Sequence, residues 1–506
     1  MTNYLEREHV KHLTLLGCTS LFFAFSTIAI AQDKSPEKLN VLLIAVDDLR
    51  PALGCYGDPL AQTPNIDRLA ASGMRFDRAY CQQAVCSPSR NLLLTGIRPE
   101  TMKIHDLGTN FRTSLPDAVT LPEQFKVNGY TTATLGKIFH TGHGNHDDTR
   151  SWSETSKPGT GQKASASGTK AGQNDKESQT NLSTQKTKQG TSSGGKRHAG
   201  RKPAEALNVD ANALQDGEVA NAAIAKLGAL KDAPFFLAVG FVKPHLPFVS
   251  PKKYWDQFDR AKFSAPRYRT PPKGTPEAAY HGPGELVSYE ITKEELIDDK
   301  VCELIHGYYA ATAYMDAQVG RVLGELDRLG LANRTIVVLW GDHGYQLGEH
   351  GEWAKHNTTE LSTHIPIIVR APGKTTSGAS TRALVETVDI YPSLCELAGL
   401  PIRPELEGRS FVPLFAKPTR NWKTAAFSVW PMRQNQPNGK RKDQGLGRAM
   451  RTERYRFVEW GNEFELYDHQ SDPDEHVNLA VESEHQELVA ELRDQLAAGW
   501  RGALPK

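Results

Sequence analysis

Residues 39–48, LNVLLIAVDD, form an apolar run closed by two carboxylates. A strand with one wet face alternates apolar and polar residues, whereas a strand buried on both faces reads as a continuous apolar run. Residues 39–46 therefore predict an inner strand of a parallel sheet. Shorter runs of the same kind follow at 131–135 (TTATL), 235–241 (FFLAVGF), 335–340 (TIVVLW) and 365–369 (IPIIV). Helical patterns lie between several of them, at 66–72 and 308–329. Strands alternating with helices predict an α/β fold with a large, mainly parallel sheet between helices. That main domain is expected over 39–400. Beyond it, short strands at 425–430 and 454–460 lie close together and precede a helical pattern over 482–500. This predicts a smaller C-terminal antiparallel subdomain over 401–506.

The chain has 506 residues, with 60 Lys+Arg against 59 Asp+Glu and 39% apolar residues. This length and composition exclude a disulfide-built miniprotein, a collagen-like fibre and a wholly disordered chain. A net charge of +1 gives no reason to expect nucleic acid as a partner. The charge is unevenly spread, because residues 151–203 carry ten Lys/Arg and three acids. That segment is rich in Ser, Gly, Thr, Lys and Gln and cannot bury enough surface to offset ordering, so it is expected to be a disordered basic insert.

Residues 1–31 read as an export signal. An apolar run over 13–31 ends in Ala29-Ile30-Ala31, a small-x-small cleavage site before Gln32. The protein is therefore expected to be exported, periplasmic or secreted, with no stable membrane insertion after cleavage. Cleavage would leave Cys55, Cys81, Cys86, Cys302 and Cys395, with no CxxC spacing, which argues against zinc. An odd count in an exported chain suggests that one thiol is special or modified.

The polar residues fall at the strand ends. Asp47 and Asp48 follow the first strand, Lys137 and His140 the strand at 131, His245 the strand at 235, and Asp342 and His343 the strand at 335. Ligands of α/β sheets collect at the carboxyl ends of strands, so four strands deliver acids, histidines and lysines to one edge. Consecutive carboxylates after a buried strand repel each other and need a cation or buried hydrogen bonds to stay ionised. With Asp342 they supply mostly hard oxygen donors, which favours Ca²⁺ or Mg²⁺ over zinc.

A second element is Cys86-Ser87-Pro88-Ser89-Arg90, continuing as Asn91-Leu92-Leu93-Leu94-Thr95-Gly96. Pro88 suits the first turn of a helix, which places Cys86 at the positive N-terminal end. Arg90 lies one turn further on and can reach the same group.

Cys-x-Pro-Ser-Arg followed by Leu-Thr-Gly resembles the signature of the type I sulfatases, in which a separate enzyme oxidises the cysteine to formylglycine. The resemblance runs from about residue 40 to 478 and is nearest the iduronate-2-sulfatase branch. VDDLRPALGCYGD, TPNIDRLA, QQAVCSPSR, GKIFH, PFFLAVGFVKPHLPF, GDHGYQLGEHGEWAKH and ELYDHQSDPDEHVNL carry it. It implies an alkaline-phosphatase-like fold and Ca²⁺ held by Asp47, Asp48, Asp342 and His343, with a modified Cys86 as a further ligand. Arg90 and Lys137 match residues that hold the formylglycine, His140 the histidine beside it, and His245 and Lys355 the sulfate-side residues. The implied partners are a sulfated carbohydrate and a formylglycine-generating or other sulfatase-maturing enzyme.

The chemistry accounts for these residue types. A thiol attacking sulfur would leave a thiosulfate ester with no easy release. A hydrated aldehyde offers one hydroxyl to attack sulfur and a second, on the same carbon, whose deprotonation expels sulfate. His245 is expected to protonate the leaving oxygen, and His140 or a calcium-ligating Asp to act as base. The expected function is hydrolysis of sulfate esters on an acidic carbohydrate. Alternatives are a phosphodiester or phosphonate hydrolase on the same fold, and a non-catalytic sulfated-glycan-binding protein.

Many sulfatases carry Arg where this chain has His364, a histidine the iduronate branch shares. Segments 101–112 and 430–448 correspond to pocket-shaping regions and match that branch poorly. Within them and nearby, His105, Trp430 and Arg433 are candidate pocket residues. Asn357-Thr358-Thr359 is a glycosylation sequon two residues from Lys355, where a glycan would crowd the pocket, which suggests a bacterial source.

Overall fold

The computed structural model describes residues 38–153, 200–280, 282–435 and 441–505. The expected export signal, nearly all of the basic insert, and the side chain of Arg433 lie outside the described residues.

The main sheet has eight strands: β1 (Asn40–Val46), β2 (Met74–Tyr80), β3 (Thr131–Gly136), β4 (Phe235–Phe241), β5 (Thr335–Gly341), β6 (His364–Arg370), β7 (Ala379–Thr381) and β8 (Val385–Glu386). Their spatial order is β8-β2-β6-β5-β1-β4-β3, with β7 also on β2. β1 lies between β4 and β5 and is parallel to both. Every residue of β1 is buried. Val41, Leu43 and Ala45 enter one core, and Leu42, Ile44 and Val46 the core on the opposite face. The uninterrupted apolar run is thus the mark of a strand covered on both faces.

The second of those cores is closed by the helices Gln215–Leu230 and Asp298–Arg328, through Val219, Ala223, Val319, Val322 and Leu326 among others. The long helix begins ten residues before the pattern expected at 308. Its first turn is polar (Asp298, Asp299), but Val301, Leu304 and Ile305 continue its buried stripe. The helices Cys86–Thr95, Leu121–Val127 and Ile390–Leu397 cover the other face.

β6 runs antiparallel to both β5 and β2, so the sheet is mixed though mostly parallel. A parallel neighbour of β5 would require a crossover to the far edge of the sheet. Residues 342–363 instead stay at one edge as a loop and return directly into β6.

The C-terminal part forms an antiparallel sheet of β9 (Ala425–Asn435), β10 (Arg441–Thr452), β11 (Tyr455–Trp460) and β12 (Glu463–Asp468). The helix Gln486–Gly502 lays Val489, Leu492 and Leu496 against Phe427, Met450, Phe457 and Leu466. β9 reaches the main domain through Val429 N–H, which donates to the Gln82 carbonyl at 2.8 Å, and Ser428 Oγ, which donates to the Cys81 carbonyl at 2.6 Å. This contact ties the small sheet to the loop that leads into Cys86.

Candidate active site

The carboxyl ends of β1 to β5 all lie at one edge of the sheet, and each leads into a loop that carries polar residues. Val85 is extended, and Cys86 opens a helix in which all ten residues are buried. Gly96, at φ 69°, ends that helix in the left-handed region that suits glycine. Ser89 Oγ donates to the Asp342 carbonyl, which pins the helix to the end of β5.

Cys86 Sγ lies 3.4 Å from Asp47 Oδ1, 3.5 Å from Lys137 Nζ and 3.4 Å from His343 Nε2. It marks where the oxygens of a converted side chain would sit. Lys137 Nζ is ion-paired with Asp47. Arg90 is fully buried; its Nη2 meets Asp47 Oδ1 at 3.2 Å and its Nε meets Asp342 Oδ2 at 2.9 Å. On the far side, Lys355 Nζ donates to Asp48 Oδ1 at 2.9 Å and Oδ2 at 3.1 Å. His245 Nε2 stands 4.0 Å from Asp48 Oδ2, while its Nδ1 meets the Leu246 carbonyl at 2.7 Å. His140 Nε2 meets His143 Nδ1 at 3.2 Å, and a hydrogen bond from His140 helps to lower the Cys86 pKa. The ten residues read from the sequence are therefore brought to one place.

Asp47, Asp48, Cys86 and His343 each offer one ligand atom, and these atoms lie within 4.8 Å of one another. Asp342 stands beside them, its Oδ1 3.6 Å from His343 Nε2, while its Oδ2 accepts from Arg90 Nε. Its Oδ1 also accepts from the backbone N–H groups of Asp48 at 3.1 Å and His343 at 2.9 Å.

Burial raises the pKa of all three carboxyl groups. Lys137 and Arg90 nevertheless hold Asp47 well below the usual carboxylate range, against burial and the neighbouring Cys86. Burial outweighs His245, Lys355 and His343 at Asp48, which stays raised, and pushes Asp342 up to about 7. The protein's own cations thus do not fully compensate the buried acids, and a hard divalent cation fits both this shortfall and the donor set. Burial also opposes ionisation of Cys86, but Lys137, Lys355 and His343 bring it well below the ordinary thiol value. Burial lowers His343, yet Asp342 and Cys86 raise it to about 9.

The family model for sulfatases matches residues 39–400. The chain belongs to the sulfatase family. A second model, described as N-sulphoglucosamine sulphohydrolase, C-terminal, matches residues 348–501 of this sulfatase. Iduronate 2-sulfatase of Homo sapiens is 36% identical over 415 residues, spanning 75% of this chain and 72% of that protein. A sulfatase of Formosa agariphila is 31% identical over 470 residues, spanning 88% and 84%. The phosphonate monoester hydrolase of Agrobacterium radiobacter superposes with a TM-score of 0.72 over 91% of this chain and 95% of that one. At 22% identity it shows the shared alkaline-phosphatase-like fold alone.

Several residues around the sulfatase's site carry no mark in the sequence. Glu285 pairs with Lys355 Nζ at 2.9 Å, and that lysine and His245 bring it to about 2 against the effect of burial. Tyr308 OH donates to the Asp48 carbonyl at 2.8 Å and accepts from Arg50 N–H at 3.1 Å, bracing the backbone where Asp48 adopts φ 59°. Lys243 Nζ donates to the carbonyls of His245 at 2.8 Å and Pro247 at 2.7 Å, which fixes the loop that carries His245.

The candidate pocket residues divide. His364 stacks on Tyr80 with ring centroids 5.3 Å apart and meets the Asp77 carbonyl at 3.0 Å, so it braces β6 against β2. His105 Nδ1 meets Gln83 Oε1 at 3.0 Å, beside the loop into Cys86. Trp430 stacks on His356, with ring centroids 5.5 Å apart. Asn357 is buried and its amide donates to Gln346 Oε1 at 2.8 Å, so a glycan there is incompatible with this fold.

Proposed function

We propose that this sulfatase hydrolyses sulfate esters of an acidic carbohydrate, in the manner of iduronate 2-sulfatase, using formylglycine made from Cys86 and Ca²⁺ held by Asp47, Asp48, Asp342 and His343. The observation that carries this reading is Cys86 Sγ, buried at a helix start within 3.5 Å of Asp47, Lys137 and His343. Once converted and hydrated, position 86 supplies both an attacking hydroxyl and a second hydroxyl whose ionisation expels sulfate. A bound divalent cation supplies positive charge that favours an ionised hydroxyl and offsets charge on sulfuryl oxygens.

The chain's own residues do the rest. Arg90 and Lys137 hold Asp47 ionised and face position 86. Lys355, fixed between Asp48 and Glu285, presents positive charge to the sulfuryl group. His245 donates Nδ1–H to the Leu246 carbonyl, so a proton on Nε2 makes it an imidazolium, the form that Asp48 favours against burial; Nε2 faces the site and can give that proton to the departing oxygen. The export signal read in residues 1–31 supports a site of action outside the cytoplasm, and the cysteine signature supports maturation by a formylglycine-generating or other sulfatase-maturing enzyme.

Sulfate release across sulfated uronates, hexosamines and algal polysaccharides, using protein whose Cys86 conversion has been verified, tests the reading. Equal or faster cleavage of an aryl phosphodiester than of an aryl sulfate would favour a phosphodiesterase instead. His245→Gln is expected to lower kcat about 10²-fold on a carbohydrate ester but far less on 4-nitrocatechol sulfate, whose leaving group needs no proton. A uniform loss on both substrates would remove His245 from that role. Chelation is expected to lower the Tm, and excess Ca²⁺ to restore it; a hundredfold excess over Kd contributes about 2.7 kcal/mol. An unchanged Tm would count against a bound cation.

A further inference from the structure

His140 and His143 form a pair on the loop that leaves β3. His140 Nε2 meets His143 Nδ1 at 3.2 Å, and the two rings lie 13° from parallel with centroids 5.4 Å apart. His140 is buried and borders Cys86, whereas His143 is exposed. With Nε2 taken by His143, His140 keeps Nδ1, which no other residue bonds, for position 86. The surrounding chain fixes where His143 stands. It sits at φ 53° between Gly142 at φ 111° and Gly144 at φ 94°. Such backbone is uncommon for a residue with a side chain and persists only where its neighbours hold it. Gly142 and Asn145 close the loop with backbone hydrogen bonds of 3.1 and 2.8 Å. Asn145 Nδ2 donates to Ser87 Oγ at 3.2 Å, and its Oδ1 accepts from Asn110 Nδ2 at 2.9 Å. Gly108 passes so close that a Cβ there would stand 2.8 Å from the His143 carbonyl oxygen. The loop is thus clamped to the residue that follows Cys86.

In a pair of neutral imidazoles one ring donates and the other accepts. A solvent-exposed imidazole favours the tautomer with its proton on Nε2, which leaves His143 Nδ1 as the acceptor and makes His140 Nε2–H the donor. We propose that His143 fixes His140 in this tautomer, so that Nδ1 is the base that releases sulfate from position 86. The second hydroxyl at 86 gives its proton to Nδ1, its O–H electron pair closes the C=O bond of the aldehyde, and the C–O bond to the sulfate group breaks with its electrons leaving on sulfate. His143 touches no reacting atom and is a positioning residue that acts through His140. This inference rests on the sulfatase reading and assigns to His140 the step that a calcium-ligating Asp would otherwise take.

Two variants separate the ring from the backbone. His143→Gly keeps the left-handed turn at ease and removes the acceptor, whereas His143→Asn keeps the turn and sets Oδ1 where Nδ1 stood. Rapid-quench single turnovers of 4-nitrocatechol sulfate by the full-length, aldehyde-bearing protein read the two halves of the reaction separately. In His143→Gly, nitrocatechol is expected at the wild-type rate and sulfate about tenfold more slowly, because a misdirected general base forfeits part of its roughly 10²–10⁴-fold contribution. His143→Asn is expected to recover most of that loss. Nitrogen-15 NMR of labelled histidines in Cys86→Ala, which carries neither thiol nor aldehyde, is expected to show His140 protonated at Nε2 alone. Adding His143→Gly is expected to turn that signal into a mixture of tautomers. Wild-type sulfate release in His143→Gly, an equal slowing of both products, an asparagine variant as slow as the glycine one, or a proton on His140 Nδ1 in Cys86→Ala would each overturn the inference. An aldehyde-bearing wild type that releases no sulfate defeats the sulfatase reading instead, and the NMR result still judges the histidine pair.

Discussion

Cys86→Ala is expected to abolish sulfate release, with kcat down by at least about 10⁴-fold, the scale seen when a covalent nucleophile is removed. The side chain is buried, opens a helix whose other residues pack on all sides, and loses only Sγ in this variant. The helix keeps its anchors, because Ser89 and Arg90 bond to Asp342 independently of the thiol. The variant should therefore fold and keep its far-UV circular dichroism, which separates loss of chemistry from loss of structure. In the active wild type, the peptide containing Cys86 should carry an aldehyde when analysed by mass spectrometry. A free, alkylatable thiol in fully active protein, or activity surviving in Cys86→Ala, would sink the formylglycine mechanism.

Much of this was legible because buried strands and sharp chemistry leave strong marks. β1 and β5 read as continuous apolar runs since both of their faces are covered, and the acids that end them are the residues that build the site. β2 (MRFDRAY) carries no such mark, because Arg75, Asp77 and Arg78 are only partly buried near the sheet's end and interrupt any apolar run. The reversed direction of β6 has no signature in its own residues, which read the same either way. It is encoded in the segment from Gly341 to His364, which holds no helix long enough to cross the sheet. Glu285 shows the limit more clearly still. It sits in a short 3-10 turn, Gly284–Tyr289, preceded by Pro283, and only the packing of that loop on Trp353 and Ala354 carries it to Lys355. Lone acids in irregular loops have no period to betray them, whereas Asp47, Asp48 and Asp342 are marked by the buried strands they follow.

Arg90 should prove as important to the fold as to the reaction. Its guanidinium bonds Asp47 and Asp342 at once and donates to the backbone carbonyls of Lys137 and, at 3.3 Å, Ile138. It therefore joins the loops after β1, β3 and β5 to the helix that opens at Cys86. Arg90→Met keeps most of the volume but leaves two buried carboxylates without their shared cation. Breaking one side of a buried ion pair typically costs about 3–5 kcal/mol, because the remaining charge stays desolvated. Arg90→Lys should lose less yet not recover the wild type, since one ammonium cannot bridge two carboxylates and two carbonyls as the planar fork does. Denaturant unfolding of the three proteins in the presence of Ca²⁺ gives the order wild type, then lysine, then methionine. Sulfate release should fall with the same order, because a displaced Asp47 no longer faces position 86. A methionine variant as stable as the wild type would show that the buried acids are satisfied without Arg90, and the network that positions residue 86 would have to be drawn around Lys137 alone.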